Sequence, residues 1–242
     1  MTSLLNKVIW ITGGSRGIGL ASAIALASKG TRLILSARSE EDLHNAAQKV
    51  RSVSGSGVAP LVVPCDVTKP ESVQTAWTLI SEQFGGVDIL INNAGIGIFK
   101  PFLELTLEEI SLSLDANIKG AFLCAQAAAR GMQERGSGVI VSLNSVAAKT
   151  TFTGASIYAA SKAGLMAANR VIRAELRDSG VKVIDLFVGA TETDIWSPAN
   201  REEFRSRMMQ PEDIAAAIVT TLELPQRIMP EEIILRPQLG DL

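Results

Sequence analysis

The sequence contains one histidine and two cysteines in 242 residues, and these shortages close off whole chemistries. His44 lies in the polar stretch SEEDLHNAAQKV, which reads as the solvated face of a helix. Neither a Ser-His-Asp triad nor an HExxH zinc site is readily built from it. Cys65 and Cys124 stand in no CxxC pair and beside no second candidate ligand. A disulfide framework and a metal centre are therefore not expected, and a reducing, cytoplasmic setting is. Long runs of one charge are also missing. Lys and Arg total 23 against 25 Asp and Glu, a net charge of −2, which disfavours nucleic acid and anionic membrane surfaces as partners. No apolar stretch is long enough to span a bilayer. A strand-like run at 8–11 comes too early for a basic n-region and a signal-peptide core to precede it.

What is abundant is apolar residues, 47% of the chain, enough to bury the core of a single domain over 1–242. Short β-branched runs alternate with helix-period segments along nearly the whole length. This pattern predicts an α/β fold: a Rossmann-type, doubly wound parallel sheet of about seven strands with helices on both faces. Strands are expected at 7–11, 32–36, 59–63, 88–91, 138–143, 181–187 and 233–235. Helices are expected at 18–28, 40–52, 71–84, 107–134, 157–179 and 211–222. Ser54-Gly55-Ser56-Gly57 and Gly85-Gly86 mark helix-to-strand turns. The stretches AFLCAQAAA (121–129) and AASKAGLMAA (159–168) are small and apolar around most of their circumference. One chain covers only one face of each, so a homo-oligomer, dimer or tetramer, is expected.

Directly after the first strand comes Thr12-Gly13-Gly14-Ser15-Arg16-Gly17-Ile18-Gly19, with a helix beginning inside it. Glycines there permit a tight turn and a close backbone approach to a pyrophosphate, and the helix start offers free N–H groups. The pattern is TGxxxGxG with no Lys-Ser/Thr after it, so an ATP-binding P-loop is unsupported. Tyr158, the chain's sole tyrosine, and Lys162 are four apart on a predicted helix and share a face. A free phenol has a pKa of about 10, and a neighbouring ammonium favours its ionised form, which makes such a pair a workable acid/base at neutral pH.

With these motifs the chain resembles the short-chain dehydrogenase/reductase family in its compact branch, from Lys7 to Pro237. Further matches are Asp66-Val67 after the third strand, Asn92-Asn93-Ala94-Gly95 after the fourth, Asn117 in a long helix, and Ser145 ahead of Tyr158-Ala159-Ala160-Ser161-Lys162. The resemblance implies that Gly13, Ser15, Arg16, Gly17, Ile18 and Gly19 cradle the cofactor's phosphates. It implies that Asp66 meets the adenine amino group, that Val67 and Asn93 line the adenosine, and that the turn through Ala94 and Gly95 braces the central strand. Asp66 read alone could cap the next helix, though Thr68 is the better cap. Tyr158 is implied as the acid/base, and Lys162 as its electrostatic partner and a ribose ligand. Ser145, rather than Ser142 on the same strand, holds the substrate oxygen, and Asn117 positions a relay water.

The resemblance has a departure. After the sixth strand the family has Pro-Gly, an aliphatic residue and Thr, whereas this chain has Val188-Gly189-Ala190-Thr191-Glu192-Thr193. Gly189 and the Thr191 backbone are still expected to serve the carboxamide, and Thr193 the pyrophosphate. The second strand ends Leu33-Ile34-Leu35-Ser36-Ala37-Arg38. With no acid at its tip and Arg38 and Arg16 nearby, NADP is the expected cofactor.

The expected function is thus an NADP-dependent oxidoreductase of the CH–OH class, interconverting a ketone or aldehyde and an alcohol. A regulator that binds cofactor without turnover is the alternative, and Phe at 158 or a residue other than Lys at 162 would have favoured it. Epimerases and dehydratases with YxxxK resemble longer chains with a larger C-terminal substrate domain, whereas the segment after Thr193 is short here. Ile195 and Trp196 are its expected apolar substrate contacts. The ending PEEIILRPQLG resembles members acting on small hydroxy acids or hydroxy amino acids, a likeness of sequence and not of pocket.

Overall fold

A computed structural model describes residues 2–55 and 57–242; Ser56 of the expected turn lies outside the described residues. Seven strands, β1 (Val8–Thr12), β2 (Arg32–Ala37), β3 (Leu61–Pro64), β4 (Ile89–Asn92), β5 (Gly138–Ser145), β6 (Val181–Val188) and β7 (Glu232–Leu235), form one sheet in the order β3-β2-β1-β4-β5-β6-β7. Every neighbouring pair is parallel. The chain steps outward from β1 to β3 and then returns to the other side of β1. The loops after β1 and β4 therefore part, opening a crevice at the carboxyl ends of the strands.

Side-chain alternation divides the core in two. Ile9, Ile11, Leu35, Ile91, Val141 and Leu186 lie in one layer with residues of α1 (Gly17–Ala27), α2 (Glu40–Val53) and α8 (Pro211–Leu222). Trp10, Ile34, Leu90, Ile140 and Val183 lie in the other, against α3 (Pro70–Phe84) and α5 (Gly120–Glu134). Because both faces are covered, β1 is buried along its whole length, and the Trp10 indole N–H finds its partner in the Ser36 hydroxyl at 2.8 Å.

Several local expectations change. Strand β3 begins after Pro60, which has no N–H to pair, and ends on Pro64, tolerable because the strand lies at the sheet edge. The single helix expected over 107–134 is α4 (Leu107–Leu114), a π-helical turn at Asp115–Lys119, and α5. Thr68 does not cap α3. Lys69 holds the cap position without a side-chain bond, while the Thr68 hydroxyl donates to Asp66 Oδ1 at 2.7 Å. A short helix that the sequence reading lacked, α7 (Pro198–Phe204), is capped by Ser197, whose hydroxyl accepts from the Asn200 N–H at 3.2 Å.

Helix α6 (Ser156–Leu176) meets the sheet through an unusually polar stripe: Ser161, Lys162, Leu165, Asn169 and Arg173 are its buried residues. Asp185 on β6, fully buried, accepts from Asn169 Nδ2 at 2.8 Å, Asn144 Nδ2 at 3.2 Å and Arg173 Nη2 at 3.0 Å. Arg173 also donates to the carbonyls of Val183 and Glu231, at 2.7 and 2.8 Å. Burial pushes the Asp185 carboxyl above its ordinary range, while Asn169, Asn144 and Arg173 pull it back. A buried charge is tolerable only with such partners, and removing one strands the other. Arg173→Ala should accordingly lower unfolding stability by about 3–5 kcal/mol in urea titrations. A loss below about 1 kcal/mol would mean that this pair carries no more than an exposed one.

Candidate active site

The glycine turn after β1 is held from within. The Thr12 hydroxyl accepts the backbone N–H groups of Asn93 and Ala94, both at 3.1 Å, and Asn93 Nδ2 donates to the carbonyls of Thr12 and Gly13 at 2.9 and 3.0 Å. These bonds join the loops on either side of the crevice. Gly13 has φ +65°, and a Cβ on Gly19 would fall 2.3 Å from the Gly13 carbonyl oxygen, so the turn folds over the helix start only where no side chain intervenes. Helix α1 then begins at Gly17 with no side-chain cap and no acidic residue in its first turn. Its N–H groups and partial positive charge face the crevice with no acidic residue of the first turn to compete for them, a setting suited to a pyrophosphate.

Around this cradle the structure gathers most of the expected cofactor residues. Thr193 lies over Gly17, its Cγ2 within 3.3 Å of where a Cβ would stand. Thr191 is buried and bonds the Gly189 carbonyl through its hydroxyl at 3.1 Å, and the backbone around it is tied to Met209. Burial pushes the Asp66 carboxyl up, but hydrogen bonds from Thr68 and the charges of Lys69 and Arg38 bring it below its ordinary range. Arg38 is exposed beyond β2, near enough to the Asp66 carboxylate to lower its pKa. Arg16, at the start of α1, pairs with Asp194 at 3.4 Å, and Asp194 is also held by Arg201 at 2.6 Å.

The second cluster joins β5, the π turn and α6. Lys162 is buried, and its ammonium donates to the Leu143 carbonyl at 2.8 Å. Tyr158, one turn earlier and half-buried, has its ring centroid 5.9 Å from Lys162 Nζ. Burial raises the Tyr158 pKa, and a hydrogen bond with Ser145 opposes the rise. Ser145 ends β5, with its Oγ also accepting the Ala147 N–H at 3.1 Å. Asn117 sits in the π turn with its amide fully engaged. Oδ1 accepts from Ile96 N at 2.9 Å, while Nδ2 donates to Ile96 O and Ser161 Oγ, each at 2.9 Å. Its side chain therefore splices the loop after β4 to α6. Gly95 permits this, since a Cβ there would lie 2.7 Å from Asn117 Oδ1.

Two contributors escaped the sequence reading. Ser161 links Asn117 to α6, and its place between Tyr158 and Lys162 was the available signal. Phe99 packs 5.3 Å from the Tyr158 ring and 5.9 Å from Trp196; a lone aromatic in a loop gives no pattern to read.

A family model described as short chain dehydrogenase matches residues 7–203. Sepiapterin reductase of Chlorobaculum tepidum is 34% identical over 98% of this chain and 99% of its own length. An uncharacterized oxidoreductase of Staphylococcus aureus is 33% identical over 98% of this chain and 100% of its own. Among solved structures, an alcohol dehydrogenase from Thermococcus sibiricus complexed with 5-hydroxy-NADP superposes with TM-score 0.88 at 31% identity, covering 98% of both chains. L-sorbose reductase from Gluconobacter frateurii, complexed with NADPH and L-sorbose, gives 0.89 at 28% identity over 97% and 96%.

Burial pushes Lys162 down from 10.5 to about 8, the charge of Asp185 resisting. Keeping it charged when folded thus costs about 3 kcal/mol at neutral pH. The penalty is full below about pH 8 and fades as the pH climbs toward 10.5. Lys162→Met should raise the melting temperature at pH 7 by about 3–8 °C, the lost Leu143 bond offsetting part of the gain, and by less at pH 9.5. Equal shifts at both pH values, or a destabilised variant, would show that the ammonium is not held at a cost.

Proposed function

Since the chain belongs to the short-chain dehydrogenase family, we propose that it is an NADPH-dependent reductase converting a ketone or aldehyde to an alcohol. The observation that carries the reading is the convergence of Ser145, Tyr158 and the buried Lys162 beside a glycine turn whose helix has no acidic residue in its first turn. The cradle fits a dinucleotide. Gly13, Ser15, Gly17, Ile18 and Gly19 would take the pyrophosphate together with Thr193; Asp66, Val67 and Asn93 the adenosine; Ala94, Gly95, Gly189 and Thr191 the nicotinamide end. The bound nicotinamide supplies the hydride, which ends on the carbonyl carbon.

The remaining steps belong to side chains. The Ser145 hydroxyl holds the carbonyl oxygen, and Tyr158 gives that oxygen its phenolic proton, leaving an alcohol and a phenolate. The raised Tyr158 pKa keeps the phenol protonated at neutral pH, the form that reduction needs. The Lys162 ammonium lies one turn away to stabilise the phenolate and to bond the ribose. The Asn117 side chain, committed to Ile96 and Ser161, would serve the relay by fixing the backbone around the water's place. Arg38 reads the 2′-phosphate, joined by Arg16 once the phosphate draws it from Asp194.

The sequence leads one to expect a second copy of the chain on 121–129 and 159–168, but Ala121, Cys124, Ala125 and Ala128 of the first stretch are already buried within one chain. The surface proposed for it is therefore the apolar one that α6 shares with α4, where Val171 and Leu107 are 57% and 73% exposed. The reading of the protein as a non-catalytic cofactor-binding regulator has no feature in its favour here.

Tyr158→Phe should cut kcat by at least about a thousandfold, the upper part of what a positioned acid contributes, while NADPH affinity by fluorescence titration stays within a few fold; near-native turnover would remove Tyr158 from the mechanism. Arg38→Asp should raise the KM for NADPH by about ten- to a thousandfold and leave or improve NADH use. Wild-type protein that uses NADH as efficiently as NADPH would contradict the assignment of Arg38.

A further inference from the structure

The mouth of the site has more aromatic surface than the proton chemistry uses. Phe99, in the loop after β4, lies 5.3 Å from the Tyr158 ring at 58°, and stacks on Trp196 of the segment before α7 at 5.9 Å and 11°. A Cβ on Gly97 would fall 2.6 Å from Phe99 Cε2 and 2.8 Å from Ile195 Cγ1, so this glycine lets the backbone pass directly under the pair. Phe99 is nevertheless 46% exposed. A half-solvated stack between two loops is easily parted, and a flat ring entering between or beside its members restores the same contact.

The charges around the mouth point the same way. Arg16 and Arg201 pair with Asp194, Arg205 with Glu192, Lys149 with Glu232, and Lys100 with both carboxylate oxygens of Glu109. A substrate carboxylate or phosphate would find each of these cations already paired and would have to approach Asp194 and Glu192 on the same segment. Arg16, if drawn away by cofactor phosphate, is equally unavailable to substrate. An uncharged ring meets no such competition.

We infer that the substrate is an uncharged carbonyl compound whose C=O is attached to, or close beside, a flat aromatic or conjugated ring. Phe99 and Trp196 grip that ring while Tyr158 meets the oxygen. This rests on the reductase reading above and narrows it. The carbonyl carbon gains the hydride and its oxygen the Tyr158 proton, and the ring is unchanged. Small keto acids, the oxidised counterparts of the hydroxy acids used by the members whose ending this chain resembles, and open polyol ketoses fit the mouth poorly.

The test uses the purified full chain with NADPH and three probes: an aryl alkyl ketone such as acetophenone, a ketose and a 2-keto acid. The aryl ketone should lead both others in kcat/KM by at least about tenfold, a preference of the size that ring contacts supply. Phe99→Ala and Trp196→Ala should each lower the ratio of acetophenone to 2-butanone efficiency by about tenfold, and Trp196→Phe should restore most of it. Binding is read separately, as saturable quenching of tryptophan fluorescence by acetophenone that disappears in Trp196→Phe. A keto acid or ketose matching the aryl ketone, or equal losses on both ketones in the two alanine variants, overturns the inference. If no carbonyl is reduced, saturable Trp196-dependent quenching upholds the ring grip and the reductase reading alone fails; no quenching then overturns the grip as well.

Discussion

An ammonium kept from water must be bonded wherever it lies, and Lys162 is bonded to the carbonyl of Leu143. That requirement sets the distance between α6 and β5. With the helix so placed, Tyr158 comes over the end of β5 where Ser145 stands, and Ser161 meets the amide of Asn117. Asn169 and Arg173 continue the same stripe down to Asp185. The helix is therefore located by directional bonds along its length, where apolar packing alone would tolerate sliding. The cost of burying these groups is met by two apolar layers that enclose the sheet, into which Trp10, Ile34 and Phe187 are fully buried.

On the crevice side the corresponding device is Asn93 and Thr12, which fasten the loop after β4 to the glycine turn. Asn117 then ties the same loop to α6. Two polar clamps thus share one short segment, 93–96. The glycine turn and the cluster of Ser145, Tyr158 and Lys162 are thereby joined through that segment, by the side chains of Thr12, Asn93 and Asn117. The π turn serves this arrangement, because an extra residue in the helix rotates Asn117 inward toward Ile96 at the place where α4 gives way to α5.

Much of this was legible beforehand. Central strands such as β1 and β4 are unbroken apolar runs because both faces are covered, and turn glycines mark the helix ends. The site residues were legible as a set, because TGxxxGxG, Asn117, Ser145 and YxxxK occur in one order along the chain. Features that depend on distant parts of the chain were hidden. Asn169 and Arg173 read as ordinary polar helix positions, since nothing local announces that Asp185 on a later strand will bury them. A π turn leaves almost no trace in apolar periodicity, so 107–134 read as one helix. The ion pair of Arg16 with Asp194 depends on where the segment before α7 folds back, which nothing local in the sequence announces. The Ser197-Pro198 start of α7 carried a signal, a capping hydroxyl followed by proline, inside a stretch read only as lid.

Relatives named for sepiapterin, for L-sorbose and for alcohols share this frame. On the reading proposed above, substrate choice resides in the loop bearing Phe99 and the segment bearing Ile195 and Trp196, since a shared fold does not set it. The claim beneath all of this is that the two clusters work together as one hydride and proton transfer site. Incubation with NADPH carrying deuterium at its transferable position, and mass spectrometry of the product from an aryl ketone, tests it most directly. One deuterium on the carbinol carbon, acquired at a rate matching NADPH consumption, is the predicted result. Cofactor binding with no labelled alcohol formed from any carbonyl probe would contradict it.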